Sequence, residues 1–274
     1  YPNWYSPLIW DLTIIVTYII VLVAELWAFS KGISGNALKA LGLIGLPVAI
    51  LTHSITAWIF GLQVASPLWH SALLAPTFIA SALVSGLALV ILIGIITKSL
   101  GFAQLKDDLL ESLSKLLAVL IVVDLFLLGT EYITAFWAGA SIETAPFITQ
   151  FFGPFSWLAW GEWILAIVAF FMLAAPPLRR STIVQLVASL LVLAEIFIYR
   201  IELVINGFVA RYIEHPPGTA LGSFQPGTSS FTLQQIYFPS AIEWMITIGI
   251  LAGATLLITL GLKYLPMLKE TEST

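Results

Sequence analysis

The fold is decided by residues 53–86, which read HSITAWIFGLQVASPLWHSALLAPTFIASALVSG. An apolar segment that carries His53 ends at Pro-Leu-Trp-His-Ser (67–71), and a second apolar segment follows at once. The pattern predicts two membrane-spanning helices joined by a short turn at the membrane surface. A histidine at bilayer depth is costly unless it faces a partner, a cavity or a ligand. The turn offers a flat ring and two hydrogen-bonding groups at the surface, so the segment predicts a binding site as well as a fold.

Composition extends this membrane character to the whole chain. Of its 274 residues, 59% are hydrophobic and 9% are charged, and the mean hydropathy is +1.01. A soluble domain has about 25% charged residues, so we expect a single polytopic membrane domain over residues 1–274. Seven apolar runs of about 20 residues, long enough to cross a bilayer, predict an all-α integral membrane fold with spans at residues 8–29, 39–62, 73–100, 110–138, 156–176, 181–205 and 240–265.

Several cofactor classes are excluded or disfavoured by the residue types present. The chain has no cysteine, which excludes disulfides, covalently attached haem and an iron–sulfur cluster held by this chain. Non-covalent haem is disfavoured, because only His53 lies within a span while His70 and His215 fall in loops. A retinal protein needs a lysine midway along its last helix, and Lys263 lies at the helix end. The spacing of histidines and carboxylates indicates no metal site.

The basic residues predict the orientation of the helices. Nine of the eleven lysines and arginines lie at alternate helix ends, whereas Arg211 lies on the opposite side and Arg200 within a span. The positive-inside rule then predicts an outward N-terminus and an inward C-terminus in the cytoplasmic (inner) membrane. The chain begins at Tyr1 without Met or a signal sequence. We therefore expect either an odd number of further spans upstream or a natural outward N-terminus after removal of Met.

Two predicted outer loops are long, at residues 139–155 and 207–239. Loops of this length in an otherwise economical membrane protein are usually docking elements or lids. We therefore expect a partner protein to dock on the extracytoplasmic side.

Acidic side chains lie within the predicted spans in two series. In the fourth span, Asp124 lies near the centre and Glu131 lies about two turns further out on the same face. In the sixth span, a spacing of i, i+4, i+7 and i+11 aligns one polar stripe: Glu195, Tyr199, Glu202 and Asn206. Central acids are costly without a partner or a proton-transfer role. We therefore predict proton transfer by the four acids, with Arg200, which points away from the stripe, as their counter-charge.

Some of these residues have a simpler interpretation. Asp11, Glu162 and Glu243 lie close enough to the surface to be solvated or to cap helix N-termini, where the dipole stabilises a carboxylate. His53 could be a neutral structural histidine that is hydrogen-bonded to a neighbouring helix. Both interpretations stay open from the sequence.

A polar pocket beside a row of acids suits a quinone, whose carbonyl oxygens need hydrogen-bond donors and a proton source or acceptor. It suits a secondary transporter of a small molecule or ion almost as well. A transporter predicts inverted repeats and helices broken at the midplane, and the sequence has no clear repeat. A purely structural anchor would not need central carboxylates.

Four motifs together resemble one family. They are SPLIWD (6–11), the opening segment (53–86), FIYRIELVINGF (197–208) and YFPSAIEWMITIG (237–249). The set is similar to the NrfD, or polysulfide reductase membrane-subunit, family, and is closest to its longer HybB-like branch, which includes the hydrogenase-2 membrane subunit. Some relatives carry an acid immediately before the arginine of the third motif, whereas this chain has Tyr199 there and Glu202 after it.

The resemblance implies a haem-free fold of two four-helix bundles, with one or three helices upstream of the seven visible here. It implies a subunit of a respiratory oxidoreductase that carries the quinone redox site rather than the catalytic centre. An extracytoplasmic, ferredoxin-like iron–sulfur subunit would exchange electrons between the quinone, menaquinone or another, and a hydrogenase or molybdopterin catalytic subunit. We expect His53, Trp69 and His70 to line or gate the quinone pocket, with Asp11 assisting. We expect proton exchange with the outer side rather than pumping, because only Glu25 continues toward the inside.

Overall fold

A computed structural model describes residues 3–33, 35–64, 66, 68–101, 105–138, 141–209 and 239–264. The regular secondary structure of these residues is entirely α-helical. The helices are α1 (Pro7–Ser30), α2 (Asn36–Gly61), α3 (Leu74–Ser99), α4 (Asp107–Ala138), α5 (Ser141–Phe152), α6 (Ser156–Ala174), α7 (Pro176–Arg179), α8 (Thr182–Val209) and α9 (Ala241–Tyr264).

Seven of these helices are long and apolar enough to cross a membrane, and only α5 and α7 are too short. Each of the seven coincides with a predicted span, with ends that differ by a few residues. The predicted all-α, multi-pass membrane fold is therefore confirmed. Its orientation stays a prediction, because length and composition alone identify the spans. Within the described ranges each spanning helix is continuous, and α2 runs without a break through Pro47.

The chain divides into two compact units, of which the first comprises Tyr1–Thr52, Leu100–Ala103 and Phe238–Thr274. In this unit the Glu25 carboxylate packs against α2 at Gly45, where an added Cβ would lie 2.8 Å from Glu25 Oε1. At the start of α9, the Ser240 backbone N–H and hydroxyl both donate to Glu243 Oε2, at 2.6 and 2.8 Å. This is a capping box, so the interpretation of Glu243 as a helix-capping carboxylate is confirmed.

The second unit, His53–Ser99 and Gln104–Tyr237, contains a four-helix bundle of α3, α4, α6 and α8. Neighbouring helices in a membrane associate through close packing rather than through expulsion of water. The buried core accordingly mixes small and branched side chains, with Ala88, Ala118, Ala169 and Ala188 beside Ile91, Leu117, Leu173 and Val192.

The bundle has two chemically different ends. At the basic end, α3 meets α4 through a Lys98–Asp107 ion pair, and Arg179 pairs with Glu111. The loop end carries the turn at Trp69 and helix α5. The prediction of a loop over 139–155 is wrong for most of its length, because residues 141–152 form α5. In the second predicted loop, residues 210–238, including Arg211 and His215, lie outside the described residues.

Candidate functional site

The polar stripe of α8 lies in the interior of the bundle. Glu195, Tyr199, Glu202 and Asn206 have between 1% and 7% of their surface exposed. The Asn206 side-chain amide donates to Glu202 Oε1 at 3.1 Å. Glu202 Oε2 and the Tyr199 hydroxyl have no hydrogen-bond partner among the described residues. Buried polar atoms of this kind are normally satisfied by water or a ligand.

Two further acids face the stripe from neighbouring helices. Asp124 on α4 is 4% exposed and Glu162 on α6 is 1% exposed. Asp124 interacts electrostatically with Glu195, and Glu162 with Glu202. The interpretation of Glu162 as a solvated or capping surface acid is therefore wrong. Its carboxyl group is turned inward because α6 packs closely on α8, with Gly161 beside Ile198 at the interface.

A small cavity of about 30 Å³ lies at the loop end of the stripe. Leucines and Phe147 form the apolar part of its wall, and its polar lining consists of Glu131, Tyr132, Gln150, Tyr199 and Glu202. A cavity of this size holds one or two water molecules. It cannot hold the six-membered ring of a quinone, so this cavity has room for water among the acids but not for a headgroup.

Helix α5 closes this cavity. The Gln150 side-chain amide donates to the Tyr132 hydroxyl at 2.7 Å, and Gln150 also contacts the Glu202 carboxyl. The Tyr132 ring packs edge-on against Phe147 and Phe151, with ring centroids 5.4 and 4.9 Å away. The segment predicted as a loop therefore contributes a polar side chain directly to the acid cluster.

Arg200 projects from α8 onto α3. Its guanidinium carbon lies 3.7 Å from the centroid of the Phe78 ring, and Nη2 donates to Ser81 Oγ at 2.7 Å. Among the described residues no carboxylate forms an ion pair with it, although its charge acts on both Asp124 and His53. The half-buried imidazole of His53 makes no hydrogen bond to the described residues. A cation without a carboxylate ion pair among the described residues thus acts on an imidazole within the membrane-spanning region.

The Trp-His-Ser turn makes several contacts with the surrounding helices that its sequence does not predict. The Trp69 indole is 7% exposed, donates to the Leu203 carbonyl at 2.8 Å and packs directly on Gly207. His70 is exposed, and its Nδ1 lies 2.9 Å from the Gly61 carbonyl. The Ser71 hydroxyl interacts with Glu131, which links the turn to the acid cluster.

The remaining predicted site residue, Asp11, belongs to the first unit, where it lies half-buried on α1. No group of three or more histidine or acidic side chains in the described part of the chain is arranged to hold a metal ion. Sequence reasoning missed Phe78, Ser81, Tyr132 and Gln150. Ser81 and Tyr132 could have been noticed because they are polar residues within predicted spans. Gln150 could not, because its segment has the composition of a loop.

The comparison with known proteins agrees with this architecture. Residues 1–210 match the family described as polysulphide reductase, NrfD. The chain belongs to the NrfD family. The first of three relatives is a Halobacterium salinarum protein provisionally named as a dimethyl sulfoxide reductase membrane subunit. It is 32% identical to this NrfD-family chain, over 97% of the chain and 67% of that protein.

The two other relatives are also subunits of named oxidoreductases. A selenate reductase subunit of Mesobacillus selenatarsenatis is 25% identical, over 98% of this chain and 69% of its own length. An Hdr-like menaquinol oxidoreductase integral membrane subunit of Archaeoglobus fulgidus is 31% identical, over 83% of this chain and 58% of its own length. The NrfD-family chain thus spans between 58% and 69% of the length of these relatives.

Proposed function

We propose that this chain is the quinone-binding membrane subunit of a multisubunit oxidoreductase. The observation that carries the proposal is the Arg200 guanidinium, which Phe78 and Ser81 fix on α3 within the membrane-spanning region without a carboxylate ion pair among the described residues. Its charge also acts on His53. Such a pair provides hydrogen-bond donors for a carbonyl oxygen and positive charge for the negative charge that develops on it. The name of the A. fulgidus relative, a menaquinol oxidoreductase subunit, supports a quinone as the substrate.

A quinone takes up two electrons and two protons on reduction and releases them on oxidation. Arg200 is held in place by the Phe78 ring and the Ser81 hydroxyl, so its guanidinium is preorganised toward a ligand beside α3. Trp69 acts as a fixed wall rather than a donor, because its N–H is already bonded to the Leu203 carbonyl. The headgroup binds outside the cavity at Glu202, which is too small for it.

Protons are exchanged through the buried acids. Asp124 interacts with Arg200 on one side and Glu195 on the other, and Glu162 interacts with Glu202. Glu131 continues the series to the turn at Ser71. Two adjacent buried carboxyl groups share a proton more readily than they both ionise, so the Glu162–Glu202 pair stores a proton beside the water-sized cavity. The series reaches the loop end, which supports local exchange on that side.

The loop end is also the proposed docking face for an iron–sulfur partner on the extracytoplasmic side. The chain would pass electrons between that partner and the quinone, while a hydrogenase or molybdopterin enzyme carries out the substrate chemistry. The names of the selenate reductase and dimethyl sulfoxide reductase relatives support a complex of this kind. The alternative of a secondary transporter is less well supported, because the described spanning helices are continuous rather than broken at the midplane.

The binding step is tested with His53→Leu, which removes both ring nitrogens of the imidazole, in the purified full-length protein. Fluorescence titration with heptyl-hydroxyquinoline N-oxide, an analogue of the quinol headgroup, measures affinity. Loss of one hydrogen bond is expected to weaken binding about tenfold. Trp58→Phe, an exposed position on the same helix, is the matched control. Equal affinity in His53→Leu and the control would refute the assignment of His53.

The proton step is tested separately with Glu202→Gln. This variant keeps the shape of the side chain and its bond from Asn206, but it cannot ionise. We expect unchanged affinity for the analogue together with slower quinol turnover in the intact complex, while turnover with an artificial dye is preserved. Full quinol turnover in Glu202→Gln would exclude Glu202 from the proton route without affecting the binding assignment.

A further inference from the structure

An open groove runs between α4 and α6 at the basic end of the bundle, and none of its lining residues belongs to the proposed quinone site. Its volume is about 370 Å³. The walls are apolar and the end of the groove is basic, with Lys115 and Arg179 at that end and Val119, Val122, Val123 and Phe170 along the walls.

The walls face away from the bundle interior. Val119, Val122 and Val123 are 54%, 46% and 44% exposed, although they lie in a membrane-spanning helix. Exposed apolar side chains at bilayer depth contact lipid acyl chains unless another helix covers them. The groove is therefore suited to a lipid acyl chain. Its basic end lies where α4 begins and α6 ends, at the level of the lipid headgroups.

The basic end carries more positive charge than its local acid can neutralise. Arg179 Nη2 and Arg180 Nε share one carboxylate oxygen, Glu111 Oε1, at 3.5 and 3.6 Å. Arg179 Nη1 also donates to the Leu173 carbonyl at 3.1 Å, which fixes the guanidinium. Its Nε is buried without a hydrogen-bond partner among the described residues, and none of their carboxylates pairs with Lys115.

These features together specify the chemistry of an occupant. A fixed guanidinium and an ammonium at one end of a groove are the groups that bind phosphate oxygens. Basic pockets between membrane helices, continuous with an apolar surface, bind anionic lipid headgroups. A free anion would use the basic end but not the groove, and a neighbouring helix would use the groove but not the unpaired charges.

We propose that the groove is a binding site for an anionic phospholipid. The phosphate is held by Lys115 and Arg179, and one acyl chain lies along Val119 and Val122. The site is independent of the proposed quinone function, because it shares no residue with the acid cluster or with His53 and Arg200.

The test uses the full-length protein purified in detergent, with an equimolar mixture of dioleoyl phosphatidylglycerol and dioleoyl phosphatidylcholine. Native mass spectrometry measures the lipid that is retained. We expect one phosphatidylglycerol to be retained in preference to phosphatidylcholine. Lys115→Gln is expected to lower that retention about fivefold, as for the loss of one basic contact. Lys106→Gln removes a charge at the same end outside the groove and is expected to have no effect.

A second variant tests the acyl chain without a change of charge. Val122→Trp fills the exposed groove and is expected to lower the retention of phosphatidylglycerol. Its melting temperature is measured in parallel to verify the fold. Equal retention of the two lipids, equal effects of Lys115→Gln and Lys106→Gln, or full retention in Val122→Trp would overturn the proposal. Displacement of the lipid by free glycerol phosphate at similar concentrations would also overturn it, because the groove would then contribute nothing.

Discussion

Gly207 is expected to be irreplaceable because the Trp69 indole occupies the space of its missing side chain. A Cβ built at position 207 would overlap Cε2, Cζ2 and Nε1 of the indole. The ring cannot easily withdraw, since its N–H is bonded to the Leu203 carbonyl at 2.8 Å and the Phe60 ring packs on it with centroids 5.2 Å apart. Gly207→Ala must therefore push the indole out of its site.

The size of the effect follows from opposing terms. Overpacking of a buried site costs about 1–3 kcal/mol, and a displaced indole also loses a hydrogen bond worth about 1 kcal/mol. Replacement of glycine by alanine in a helix stabilises the folded state by about 0.5–1 kcal/mol. The net loss is about 1–3 kcal/mol, which corresponds to a fall in melting temperature of roughly 3–9 °C for a unit of this size.

The assay is thermal unfolding in detergent, followed by intrinsic tryptophan fluorescence. Gly86→Ala is the matched control, because a Cβ at that helical position meets nothing within 4 Å; it is expected to be neutral or stabilising. Trp69→Phe combined with Gly207→Ala should recover about 1 kcal/mol or more relative to additivity, since the smaller ring leaves room for the new methyl group. Equal melting temperatures for Gly207→Ala and Gly86→Ala would show that the Trp69 indole does not need the space at position 207.

Two further predictions concern polar contacts. Ser81→Ala removes the acceptor of the Arg200 guanidinium and is expected to cost about 1.5–3 kcal/mol of stability. The control is Ser85→Ala, because among the described residues the Ser85 hydroxyl bonds only to carbonyls of its own helix; this variant should melt like the wild type. Equal melting temperatures of the two variants would contradict the role of Ser81. Ser240→Ala breaks the capping box with Glu243 at the start of α9 and is expected to cost about 1 kcal/mol of helix stability. The effect is measured as faster amide hydrogen exchange in the first turn of α9. Unchanged exchange there would show that the cap does not stabilise the helix.

The membrane fold was predictable from the sequence because its signal is local. A span requires about 20 consecutive apolar residues, and each of the seven predicted runs coincides with a helix of the structure. The helical spacing of Glu195, Tyr199, Glu202 and Asn206 likewise placed them on one face, which the structure buries. Family membership was also readable from short motifs, and residues 1–210 match the NrfD family.

The predictions for Glu162 and for residues 139–155 were wrong because local composition does not show which neighbouring helix a segment packs against. Glu162 lies near the start of α6 and looked solvated, yet its carboxyl is buried because that face of α6 meets α8. Helix α5 was missed because its proline and mixed polarity are typical of a loop. Its burial of Gln150 over the acid cluster arises only from tertiary contacts with Tyr132 and Glu202.

Hydropathy and helical periodicity are properties of consecutive residues, so the amino-acid order was enough to locate seven segments able to cross a membrane and the acids within them. The surroundings of those acids and of Arg200 depend instead on contacts between distant segments. Contacts between α3 and α8 bring Ser81 and Phe78 to the guanidinium across more than a hundred residues of chain. No local pattern encodes such a contact, since it depends on which helices are neighbours and on how each is rotated about its axis.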